Sequence, residues 1–135
     1  MTLTRTLVLI PIAIAVTIGV GYAICGTMNV NPHAREMMFA ASVCLVASVG
    51  AMIPIVLTRG ASQASVAQAA LVGTVIHLFA CCGLGGGLII TRAFGLTNAF
   101  AYWLLALYWV TLIVVVIGLI GAVKTAAVAS TAASH

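Results

Sequence analysis

The six charged side chains of this 135-residue sequence, and the distances between them, constrain its fold more than any other feature. They are Arg5, the neighbours Arg35 and Glu36, Arg59, Arg92 and Lys124. Between them lie four uncharged runs, 6–34, 37–58, 60–91 and 93–123. Each is longer than the ~20 residues that a helix needs to cross a hydrocarbon core of ~30 Å. Four runs of that kind imply four spans. A soluble domain carries about 25% charged residues; here the fraction is 4%, with 64% hydrophobic residues.

Only helices and closed barrels satisfy their backbone hydrogen bonds in lipid. A barrel would need strands of ~10 residues with alternating polarity. The continuous apolar stretches Leu7–Ala15 and Ile113–Ile120 show no alternation. The expected fold is therefore an all-α integral membrane protein of four transmembrane helices, an antiparallel bundle or two hairpins. Their cores fall near Leu7–Cys25, Met37–Leu57, Ala69–Ile90 and Tyr102–Val123. Arg5 before an apolar stretch resembles the start of a signal peptide, but the stretch runs on through Tyr22–Cys25 without a small-x-small site. It is read as the first span.

The organisation is one domain, 1–124, with a short flexible tail, 125–135. The first connection holds Asn29, Asn31 and Pro32, which break helix. The Ser, Ala and Gln of the second let the third helix begin early, and the third connection is a short loop. The polar tail after Lys124 has too little apolar surface to fold and is expected to fray. Arg5, Arg59 and Lys124 sort to one side against Arg35 and Arg92, a three-to-two bias that places both termini in the cytoplasm by the positive-inside rule. Scattered basic residues at helix ends act as interfacial anchors, so the net charge of +4 calls for no nucleic acid. The four cysteines lie in apolar segments and behave as small hydrophobes.

Helix association in lipid depends on small residues that let backbones approach. Ala15, Gly19 and Ala23 form such a stripe on the first span, and Ala40, Cys44 and Ser48 form one on the second. These two helices are expected to touch through those faces. Gly118 and Ala122 repeat the pattern in the fourth. Pro11, Pro54 and the cluster Gly83, Gly85, Gly86 and Gly87 are read as kinks or close approaches. Tyr102 and Trp103 suit an aromatic belt at the membrane surface, while Tyr108 and Trp109 lie deeper and are expected to pack against neighbours.

Residues for chemistry are few. No nucleophile–base–orienter set and no phosphate loop following a strand is present, so no catalytic residue, enzyme activity or cofactor is expected. Glu36 beside Arg35 is read as a solvated pair. No Asp or Glu falls in the span cores, where proton and cation relays place them. His77 is the exception, since an ionisable group at mid-span is a functional hypothesis by default. Gly73 and Cys81 share its helical face. His77 and Cys81 could offer two soft metal ligands, but two do not make a site. A histidine held by hydrogen bonds to another helix is the commoner outcome, and no metal site is assigned.

Three segments are similar to the ATP synthase protein I family of small four-helix bacterial membrane proteins. The second span ends Ser48-Val49-Gly50-Ala51-Met52-Ile53-Pro54 before Arg59. The third contains Gly73-Thr74-Val75-Ile76-His77-Leu78, a glycine followed four residues later by a basic residue. The fourth has an aromatic start and an aliphatic run, Tyr102 to Ile120. In the family an acidic residue commonly adjoins the glycine and Lys or Arg takes the basic position. Thr74 and His77 stand there instead, which weakens any link to cation handling. The resemblance implies a non-enzymatic accessory or assembly factor for the rotor ring of the F-type ATP synthase in the bacterial inner membrane. Its partners would be the bilayer, other membrane subunits such as the ATP synthase c subunits, or further copies of itself. The residues leave open a structural subunit of another respiratory or photosynthetic complex, and a small channel or transporter with His77 facing the pore.

Overall fold

The computed structural model describes residues 3–58 and 61–132, and they form a bundle of four long helical spans. Helix α1 covers Leu3–Thr27, α2 Ala34–Leu57 and α3 Gln63–Ala80. A π-helical turn, Cys81–Gly85, joins α3 to the short α4, Gly86–Ile90, completing the third span. A 3₁₀ turn at Ala93–Gly95 leads into α5, Asn98–Ala132. All four spans are long and apolar enough to cross a bilayer. The chain is an all-α integral membrane protein.

Local chemistry sets the ends. Val30 N donates to Cys25 O as α1 unwinds before Pro32, which has no N–H to continue a helix. Ser62 caps α3 by accepting from Ser65 N at 3.3 Å. The third span therefore starts at Gln63, upstream of its apolar core. The tail differs from expectation, because α5 runs on to Ala132. Its last turns are rich in alanine, the strongest helix former, and they extend a helix already nucleated in the membrane. The remaining expected tail residues, 133–135, lie outside the described residues.

Packing follows an antiparallel register. On α1 and α5, Thr6 meets Gly118 and Gly21 meets Trp103. On α2 and α3, Ala51 meets Gly73 and Ser48 meets His77. Between the third span and α5, His77 meets Thr111 and Gly85 meets Leu104. In each pair one number rises as the other falls. Helix α2 is the hub, with half of its apolar window buried, whereas α1 has only 11% of its window buried. Ala40, Cys44, Ala47, Ser48 and Ala51 on α2 are each at most 1% exposed.

The small-residue face of α1 is a correction. Ala15, Gly19 and Ala23 are all exposed, and nothing lies within 4 Å of a Cβ placed on Gly19. α1 turns a different face inward, Thr6, Ile10 and Ile14, and lies mainly against α5. α1 and α2 thus do not meet through the two stripes. On α2 the stripe Ala40, Cys44, Ser48 is buried as a unit, Gly118 is buried against Thr6, and Ala122 packs at the edge of the core. Within the cluster of Gly83, Gly85, Gly86 and Gly87 only Gly85 makes a close approach; Gly83, Gly86 and Gly87 face open space. Trp109, expected to pack inward, is also turned outward, and only Tyr108 reaches the interior.

Candidate functional site

Three helices meet at His77, which is completely buried. α3 delivers it there because Gly73, one turn earlier, carries no side chain. A Cβ at Gly73 would collide with the carbonyl oxygen of Ala51, so glycine lets the two backbones touch. That contact brings the imidazole level with Ser48 of α2 and Thr111 of α5. Ser48 Oγ lies 3.2 Å and Thr111 Oγ1 3.4 Å from His77 Nε2. Tyr108 stacks on the ring, with centroids 5.5 Å apart and planes 19° apart.

The hydroxyl protons settle the tautomer. Ser48 Oγ donates to Cys44 O at 2.7 Å, and Thr111 Oγ1 donates to Leu107 O at 2.8 Å. Each hydroxyl has one proton, so both present only lone pairs to the imidazole. Nε2 must then carry the hydrogen and share it between them. Nδ1 is left as a bare acceptor, and it has no hydrogen-bond partner. We expect ¹⁵N NMR of His77-labelled protein to report the Nε2–H tautomer. The opposite tautomer would require a hydroxyl to have released its backbone carbonyl.

One turn beyond, Cys81 is buried and its thiol neighbours that of Cys44; both are free. Cys81 also opens the π-turn. π-turns are rare insertions frequent at functional sites, and this one follows the glycine approach and the buried imidazole directly. Among the described residues, no group of three His, Cys, Asp or Glu side chains is placed to hold a metal ion. His77 lines none of three surface clefts. Those are a polar one beside Glu36, an apolar one beside Lys124 and an apolar one between α1 and α5. The arrangement is a polar junction sealed inside a membrane bundle, with one unsatisfied basic nitrogen.

A second polar cluster lies at the end where α2 and α5 begin. Glu36 is not the solvated partner of Arg35 that its sequence neighbourhood suggests. Its side chain is 8% exposed, and Oε1 accepts from Thr97 N at 2.9 Å, tying the third connection to α2. Arg35 points elsewhere, its guanidinium carbon 5.9 Å from the centroid of Phe39. Trp103 Nε1 donates to Pro32 O at 3.1 Å and ties the first connection to α5. The two connections adopt left-handed backbone at Asn29, His33, Arg92 and Phe94, a region that a bulky residue such as Phe94 rarely enters. Stacking of Phe94 on Phe39, centroids 5.2 Å apart, holds it there.

Sequence reasoning singled out Gly73, His77 and Ser48. It missed Thr111, whose signal is a lone hydroxyl in the aliphatic run of the fourth span, and it missed the burial of Glu36. The fold and junction define a four-helix integral membrane protein with a small polar junction buried at its centre. Compared with models of known families, with curated proteins and with solved structures, the chain matches none.

Proposed function

We propose that this chain is a non-enzymatic accessory or assembly protein that works by packing against transmembrane helices of other subunits. The resemblance to the ATP synthase protein I family points to the rotor ring of the F-type ATP synthase as the partner. It also points to the bacterial inner membrane as the location, and the basic residues favour cytoplasmic termini. The reading rests on one observation, the outward face of α1. That helix is barely buried, and it turns Ala15, Gly19 and Ala23 away from its own bundle. Small residues spaced by four let a foreign helix approach closely. A pore with His77 in its lumen has no such support, because the imidazole is wholly buried among α2, α3 and α5.

The test substitutes Gly19→Leu. With nothing within 4 Å of the Cβ, the isolated bundle is expected to keep its helicity and thermal stability to within ~0.5 kcal/mol, as surface substitutions do. Purification of tagged protein in mild detergent, followed by mass spectrometry, should recover rotor-ring subunits with the unmodified chain and lose them with the variant. Stoichiometric recovery of a different membrane complex would select a structural subunit instead. Recovery of no partner from either protein would remove the proposal.

A further inference from the structure

Glu36 is the only acidic residue of the chain, and half of its carboxylate is unsatisfied. Oε1 is held by Thr97 N, but Oε2 has no hydrogen-bond partner. His33 Nδ1 stands 3.6 Å from Oε2, within ion-pair distance but beyond hydrogen-bond reach. Among the described residues no arginine or lysine forms an ion pair with it. An acceptor carrying negative charge and shielded from water is costly until a donor reaches it.

Glu36 lines a cleft of about 220 Å³ together with Asn31, His33, Arg35 and Phe94. Its level in the bilayer follows from helix length. α2 has 24 residues, which at ~1.5 Å per residue exceeds the ~30 Å hydrocarbon core by a few ångströms. Glu36, in the first turn, therefore sits where lipid headgroups begin. Exposed Arg35 stands at the same rim. The cleft thus offers a buried anion inside and a cation at its mouth.

We propose that this cleft binds the headgroup of an ethanolamine phospholipid, its primary ammonium donating to Glu36 Oε2 and its phosphate lying toward Arg35. A charge-assisted hydrogen bond of that kind needs an N–H, which a choline headgroup lacks. Choline is instead recognised by cages of several aromatic faces, and the cleft is lined by one Phe, Tyr or Trp ring, that of Phe94. The site selects for hydrogen-bond donors on the headgroup nitrogen.

The experiment places the full chain in phosphatidylcholine vesicles and in vesicles with ethanolamine phospholipid or its N-methylated derivatives added. Thermal unfolding and the lipid retained in native mass spectrometry are both read. Retention should favour the ethanolamine lipid over choline by about tenfold, and its presence should raise the Tm by ~2–4 °C. Both effects should decline as methyl groups replace N–H, and Glu36→Gln, which keeps an acceptor for Thr97, should abolish them. Equal retention along the methylation series would overturn the proposal, as would an ethanolamine preference unchanged in Glu36→Gln. The series on the unmodified chain decides the matter even where the variant fails to fold. Arg35→Ala, outside the core, should weaken retention of both lipids; full retention would overturn the phosphate contact.

Discussion

Gly73→Val should be among the most damaging single substitutions in the bundle. The Cβ of any larger residue at this position runs into the carbonyl oxygen of Ala51. That oxygen belongs to the backbone of α2, so no rotamer change relieves the clash. α2 and α3 must separate along the face that also aligns Ser48 with His77. Overpacking a tight contact costs typically 1–3 kcal/mol, and here the hydrogen bonds one turn away are lost with it. We expect about 3 kcal/mol in a reversible denaturation titration of the protein in mixed micelles. Gly50→Ala is the control. Its added Cβ would lie at 3.8 Å from a methyl of Ile76, an ordinary contact, and alanine is the better helix former by up to ~1 kcal/mol. That variant should be neutral or slightly stabilised. Equal losses at the two positions would mean that the close approach at Gly73 does not exist.

His77 gives the second large effect, with the outcome depending on the replacement. His77→Ala leaves a cavity among three helices and should cost about 3 kcal/mol, in the range of other large-to-small core substitutions. His77→Leu refills most of that volume and removes the orphaned Nδ1. The hydrogen bonds that it deletes are weak, because interhelical bonds in membranes average ~0.6 kcal/mol. Ser48 and Thr111 keep their own backbone partners, so no new donor is stranded. His77→Leu should therefore stay within about 1 kcal/mol of the unmodified chain. A loss as large as that of alanine would show that the polar ties hold the helices together. Tolerance of leucine would show that the bundle does not need the imidazole for its stability.

The spans were legible because charge is nearly forbidden at membrane depth, so Arg5, Arg35 and Arg92 fall close to their limits, although α5 continues past Lys124. Inward faces were less so. In water a helix declares its buried side by polarity, but a membrane helix is apolar all round, and the only remaining signal is residue size. The stripe Ala40, Cys44 and Ser48 is buried, where the hub helix is surrounded, but it does not meet Ala15, Gly19 and Ala23, which stay exposed where α1 lies at the edge. Size reports how closely a helix can be approached, without saying by whom. His77 was visible as a lone ionisable residue, and Gly73 as its companion on one face. Thr111, 34 residues further along, was not, because it joins them only through the register of α5. Glu36 misled for a related reason. Its neighbour in sequence is an arginine, while its partner in space is a backbone amide 61 residues away.

The attachment of α1 to α5 has a consequence for the order in which the protein is made. The first helix to enter the membrane has its main partner in the last, and about 70 residues must be synthesised between Thr27 and Asn98. At ~5–20 residues per second, α1 waits roughly 4–14 s in the bilayer before α5 arrives. During that interval its Ile10 and Ile14 face is as available to passing helices as its Ala15, Gly19 and Ala23 face. Closure of the bundle withdraws the first and leaves the second, so the face that α1 keeps open to the lipid is fixed only when translation ends.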